Sequence, residues 1–170
     1  EPDAGDWFSG RYTGAALETL LQKNPDAAAV YLTSPDYFGV FSDIRGLAAV
    51  CARYGLPLLV DNAHGAHLKF LPQGYGKWHP ADCGAAICCD SLHKTLPAMT
   101  GGALLHIMDE RYIAQAKERM SLFGSTSPSY PIMLSCEHAL EYAQKEAARD
   151  FAWTAYRFGR IRQIALEKGM

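Results

Sequence analysis

Two side chains in this chain stand where charge is costly to place. Asp61 follows directly on the apolar run Leu58-Leu59-Val60, and Lys94 comes after a second run, Ala85 to Cys89, and the polar knot Asp90-Ser91-Leu92-His93. A carboxylate at the end of an apolar strand is expensive to desolvate unless a cation, a metal or a protonated heterocycle pairs with it. A lysine at the next such exit is the matching oddity, because a partly desolvated amine near other cations is lowered in pKa and forms Schiff bases with aldehydes. One cofactor takes both groups: pyridoxal phosphate binds a lysine at its aldehyde and a carboxylate at its pyridinium nitrogen.

Taken singly, the same residues allow other chemistry. Asp61, His64 and His67 have the spacing of a metal cluster, and Asp61 alone could cap a helix or bind a ribose. A dinucleotide site needs a glycine-rich turn after a strand, whereas Gly101-Gly102 precedes one and reads as freedom for the chain to turn back toward the sheet. A lone lysine after a strand is ordinarily a solvated surface residue. The context of Lys94 reverses that reading, and with it no metal is expected. Tyr37, in the exit Thr33-Ser34-Pro35-Asp36-Tyr37-Phe38-Gly39, either lines the substrate site or packs.

The elements that must hold these groups are short apolar runs alternating with helical patterns. Ala29 to Leu32, Leu56 to Val60, Ala85 to Cys89 and Ala103 to Ile107 are continuous rather than alternating, as expected of strands covered on both faces. Between the first two, residues 42–55 read as a helix with Ser42 as N-cap and Gly55 as its stop. Thr13 caps a helix candidate running to Gln22, and Asp109 to Ser121 reads as a helix. Pro131 to about Leu166 reads as one long helix or two with a break, with Leu134, Leu140, Phe151, Phe158, Ile161 and Ile164 as its apolar positions and its charged faces solvated. The order is that of an α/β fold, a mostly parallel sheet flanked by helices and ending in a long helical segment. In such sheets ligands bind beyond the carboxyl ends of the strands, where Asp61 and Lys94 stand.

Composition bounds the partners. At 170 residues, with 49% apolar and 20% charged residues, the chain can bury a core, and a net charge of −2 provides no footprint for nucleic acid or an anionic membrane. No tract approaches the roughly 20 apolar residues of a membrane span, and no secretory leader is visible. The five cysteines are an odd count, which fits a reduced, cytoplasmic compartment. Cys88 and Cys89, adjacent on a strand, point to opposite faces and read as small buried residues.

Four stretches carry a more specific signal: "TSPDYFGVFSDI", "LLVDNAHGAHLKF", "SLHKTLPAMTGGALLHI" and "TSPSYPIMLSCEHA". In order and rough spacing they resemble the Orn/Lys/Arg decarboxylase family, aspartate-aminotransferase-like enzymes that use pyridoxal phosphate in fold type I. The resemblance covers nearly the whole chain. It implies Lys94 as the Schiff-base lysine, Asp61 as the partner of the pyridine nitrogen and Ala63 as the small residue against one ring face. It places His64 near the ring hydroxyl or substrate, and Ser91 and His93 on the phosphate. Thr126, with Ser127, resembles a loop that approaches the neighbouring subunit's phosphate, which implies a homodimer or a higher homo-oligomer. Where the family usually has Asp-Glu-Ala-His this chain has Asn62, expected by alternation to face away from the ring.

The implied activity is decarboxylation of a basic amino acid, arginine, lysine or ornithine, to an amine that is a polyamine or its precursor. Another fold-type-I activity such as aminotransfer uses the same lysine and aspartate. Residues 1–170 are expected to be part of the cofactor-binding large domain, with its N-terminal part and a small C-terminal domain outside this stretch, and to be inactive alone. A non-catalytic structural piece is the competing reading for the isolated stretch.

Overall fold

The computed structural model describes residues 11–73 and 75–169. Helix α1 (Gly14–Lys23) begins where Thr13 accepts the Ala16 amide N–H, as its sequence predicts. It leads to strand β1 (Val30–Thr33), helix α2 (Ile44–Tyr54) and strand β2 (Leu58–Asp61). The cap of α2 is Asp43, not Ser42. In that helix the third amide belongs to Gly46, which Asp43 Oδ1 reaches at 3.0 Å, whereas Ser42 Oγ sits one residue early and accepts from the Tyr12 amide instead. Gly55 ends α2 in the left-handed conformation with φ 68°, as expected.

The chain returns to strand β3 (Ile87–Ser91) through two 3₁₀ turns, Ala66–Phe70 and Pro80–Asp82. One turn of helix, α3 (Leu92–Thr95), then leads to strand β4 (Ala103–Ile107). The sheet order is β1-β2-β3-β4, with the first three strands parallel and β4 antiparallel to β3. Parallel return needs a crossover of a dozen or more residues, and the stretch between β3 and β4 is too short for one. The glycines enable the reversal: Gly101 has φ 97°, and a Cβ on Gly102 would lie 2.6 Å from Cys136 Sγ.

After a 3₁₀ turn at Glu110–Tyr112 come helices α4 (Ile113–Phe123), α5 (Tyr130–Lys145) and α6 (Ala147–Glu167). The long C-terminal pattern is thus two helices, broken at Glu146. None among the described residues is long and apolar enough to cross a membrane.

The core has two parts. Leu17 and Leu21 of α1 and Leu47, Val50 and Cys51 of α2 pack on Leu32, Leu58, Val60 and Cys88 of the sheet. Ala139, Ala143 and Ala147, spaced four apart through α5 into α6, close on Ala66, Leu92 and Leu96 beneath the segment that bears Lys94. The sequence pattern anticipated helices here but not which residues bury. Leu134, Phe158, Ile161 and Ile164 are exposed, and only Leu140 and Phe151 of the expected positions pack against this cluster.

Strand coverage also differs from expectation. Alternate side chains point to opposite faces, and α1 and α2 cover the face of Leu32, Leu58, Val60 and Cys88. On the other face Tyr31 is 69% exposed, and Cys89 and Leu105 are exposed among the described residues. Cys88 is therefore the packed thiol, which burial, with the Asp90 charge behind it, pushes up to about 12, while Cys89 faces outward.

Candidate active site

Two neighbouring parallel strands deliver the candidate residues to one edge of the sheet. Asp61 is the last residue of β2 and pairs with Cys89 of β3, whose strand ends two residues later at Ser91. Asp61 Oδ1 accepts the Ala63 amide N–H at 2.9 Å, which ties one carboxylate oxygen to the chain and leaves the other for a ligand. Ala63 is buried, a small side chain beside the carboxylate.

Lys94 is exposed on α3, and its Nζ lies 3.4 Å from His64 Nε2. Among the described residues it has no carboxylate partner, so the amine is available for covalent chemistry. Lys69, by contrast, is paired with Asp82 at 2.6 Å. The His64 ring meets the Tyr37 ring edge-on at 5.7 Å, which lines up Tyr37, His64 and Lys94 across the exits of β1, β2 and β3. Tyr37 itself is 81% exposed.

The expected phosphate ligands are positioned by the start of α3. Ser91 occupies the N-cap without a side-chain capping bond, so its hydroxyl is uncommitted. His93 Nδ1 donates to the Gly102 carbonyl at 3.1 Å, which leaves Nε2 as the ring's remaining polar atom. The His64 Nδ1 and Thr95 Oγ1 atoms are buried without a hydrogen-bond partner among the described residues. Buried polar atoms are normally satisfied, so these orphans fit a site that takes a polar ligand. The donor set suits pyridoxal phosphate: an amine, a half-committed carboxylate with a small buried residue two positions on, and a hydroxyl and an imidazole at the start of α3.

Thr126 is not gathered into this group. It lies on the exposed loop between α4 and α5, where Ser127 N donates to Ser125 Oγ, and the hydrogen bonds of Lys94 and Asp61 go to His64 and Ala63 instead. Clefts of about 580 and 670 Å³ open beside α1, and neither is lined by Asp61 or Lys94. His67 also separates from the other two members of the apparent metal cluster. It packs against Phe151 with ring centroids 5.9 Å apart, and burial holds its pKa below the usual imidazole range.

A polar cluster that sequence reasoning missed lies on the opposite face. Asp90, 2% exposed, accepts from Asn62 Nδ2 at 2.6 Å through Oδ1, and from His79 Nε2 and His106 Nε2 at 2.9 Å each through Oδ2. Parity was the available signal: within β3, Asp90 must point away from Ser91, and His106 of β4 shares its side. The atoms lie close enough to hold a metal ion. The tautomer argues otherwise, because His79 Nδ1 accepts the Ala81 amide N–H, which puts the ring proton on Nε2. A metal-ligating Nε2 requires the reverse arrangement.

Burial alone would raise the Asp90 pKa, but the hydrogen bonds from His106, His79 and Asn62 outweigh it and hold the carboxyl well below its ordinary value. Because the folded-state value is depressed, the ionised group stabilises the fold fully above about pH 5, and this contribution begins to fall below about pH 4 and is lost as pH drops to the depressed folded-state value. Urea unfolding of the Asp90→Asn variant should therefore lose less stability than wild type between about pH 6 and about pH 3. Parallel pH profiles would show that Asp90 does not carry the linkage.

Comparison with known proteins agrees with the geometry. Residues 9–160 match the family Orn/Lys/Arg decarboxylase, major domain. The uncharacterized protein YaaO of Bacillus subtilis is 39% identical over 133 residues, 75% of this chain and 27% of the relative. An arginine decarboxylase of the same organism is 30% identical over 145 residues, 81% of this chain and 28% of the relative. The chain thus spans about a quarter of the length of these relatives. Among solved structures, apo mouse CSAD superposes with a TM-score of 0.64 at 19% identity, covering 91% of this chain and 37% of that one. The serine palmitoyltransferase of Sphingomonas wittichii superposes at 0.60 with 14% identity, over 78% and 34% of the two chains. At such identities the likeness is one of fold, and it supports the α/β architecture described above. With the family match covering residues 9–160, this chain belongs to the Orn/Lys/Arg decarboxylase family.

Proposed function

We propose that the full-length protein decarboxylates a basic amino acid, arginine, lysine or ornithine, with pyridoxal phosphate held at the Asp61–Lys94 site. The observation that carries this reading is an amine free of any carboxylate partner among the described residues and a half-committed carboxylate at the exits of adjacent parallel strands, in a chain of this family. Bound there, the cofactor would supply an electron sink for the carbon that loses carbon dioxide. Lys94 would hold the aldehyde end of that cofactor, and with its Nζ 3.4 Å from His64 Nε2 it would be placed to return a proton to the substrate carbon. Asp61 offers its uncommitted oxygen to the pyridine N–H, and Ala63 leaves room for the ring. Ser91 and His93 hold the phosphate.

Thr126 of a neighbouring subunit would complete the phosphate site in a homodimer, an assembly consistent with its exposed loop. Residues 1–170 would then be a part of the cofactor-binding large domain and inactive alone. The arginine decarboxylase among the relatives makes arginine the first substrate to test. The amine produced is of the class from which polyamines are built, in keeping with a cytoplasmic enzyme.

The test is release of labelled carbon dioxide from carboxyl-labelled arginine, lysine and ornithine by the full-length protein with added pyridoxal phosphate. Turnover of one of the three supports the reading. Transfer of the amino group to a keto acid without carbon dioxide would replace it with aminotransfer.

A further inference from the structure

We propose that Asp90 is a positioning residue which, through the Asn62 amide, sets the aim of the Asp61 carboxylate. The inference rests on the reading of Asp61 as the partner of the cofactor's ring nitrogen.

Asp61 and Asn62 are consecutive at the end of β2, so whatever fixes one side chain fixes the direction of the other on the opposite face. Asn62 is clamped from every side. Its amide N–H donates to the Cys89 carbonyl at 2.9 Å, its carbonyl accepts from Gly65 N at 2.8 Å, and its side-chain Nδ2 donates to Asp90 Oδ1 at 2.6 Å. A Cβ on Gly65 would lie 2.1 Å from Asn62 Oδ1, so the absence of a side chain there leaves the amide the space in which it turns toward Asp90. Asn62 is fully buried, and its Oδ1 has no partner among the described residues, so the bond to Asp90 is the one that orients the side chain.

Asp90 in turn cannot swing. Its second oxygen is held by His79, which precedes the 3₁₀ turn at Pro80, and by His106 of β4. Three donors from three separate segments converge on one buried carboxylate. A buried charge is a weak source of net stability, since apolar packing of the same volume often does as well. What the charge adds is direction: a carboxylate fixed by two imidazoles points its remaining lone pairs at the amide, and the amide fixes the bend from Asp61 to His64. Displacements on the order of 1 Å at a catalytic group cost about a hundredfold in rate.

The test uses the full-length protein reconstituted with pyridoxal phosphate isotopically labelled at its ring nitrogen, whose NMR signal reports protonation. In wild type the nitrogen should be protonated. In Asn62→Ala it should shift toward the unprotonated position, with kcat down by roughly ten- to a hundredfold and KM little changed. Asn62→Asp alone sets two carboxylates against each other and should behave the same or worse. Adding Asp90→Asn to that variant should recover much of the signal, because the new amide at position 90 donates to the carboxylate at position 62 while its oxygen still accepts from both histidines. Leu47→Ala, on the core face of α2, should lower the melting temperature and leave the nitrogen signal in place. A wild-type signal in Asn62→Ala, no recovery in the double variant, or an equal shift in Leu47→Ala would each overturn the positioning role. A wild-type protein that binds no pyridoxal phosphate would instead overturn the cofactor reading beneath it.

Discussion

Lys94→Ala in the full-length protein is expected to lower decarboxylation by more than about a thousandfold, the scale on which covalent anchoring and proton return are both lost. The fold should be almost untouched. Lys94 is exposed, and its one polar contact among the described residues is the 3.4 Å approach to His64, so the change belongs with surface substitutions worth about half a kcal/mol or less. Borohydride reduction followed by peptide mapping checks the chemistry independently of turnover: in wild type the pyridoxyl group should be found on Lys94. Lys69 serves as an internal comparison, because its ammonium is already paired with Asp82. A label on Lys69 or Lys77, or an active Lys94→Ala variant, would refute the assignment.

The second large effect is expected at Asp61. Asp61→Ala removes the anion that would keep the ring nitrogen protonated, and turnover should fall by about a hundredfold or more. Asp61→Asn separates charge from shape. The amide can still accept the Ala63 N–H, so the loop is kept, but a neutral group no longer favours a protonated ring, and the loss should approach that of alanine. Asp61→Glu keeps the charge and should rescue poorly, because the added methylene carries the carboxylate past the Ala63 amide that steadies it at 2.9 Å. Near-normal turnover in Asp61→Ala would remove the residue from the site.

Much of this site was legible before any coordinates. Asp61 and Lys94 stand out because short apolar runs end at charged residues, and the rule that ligands gather beyond strand ends turns that punctuation into a site. Thr13 and Gly55 mark helix ends through strictly local chemistry, a side-chain oxygen three residues before an amide and a residue free to adopt positive φ. The cap of α2 went astray by one residue because Ser42 and Asp43 are both capping types, and only the actual helical register shows which oxygen reaches Gly46. In α5 and α6 the large apolar residues misled: close packing against Ala66 and Leu92 selects small side chains, so the alanines bury while Leu134 and Phe158 remain exposed.

Local order along the chain, then, is what the amino-acid sequence determined by itself. Strand and helix repeats, caps, the α/β alternation, and the placing of Asp61, His64, Ser91, His93 and Lys94 at strand exits all arise from interactions between residues a few positions apart. Tertiary structure alone decided how distant segments meet. It separated His67 from His64, left Thr126 apart from the other candidate residues, and brought Asn62, His79 and His106 onto Asp90 from 28, 11 and 16 residues away. Hydrogen bonds of that kind leave no periodic trace, because their geometry depends on how strands pair and turns fold across the sheet, not on the spacing of residues along it.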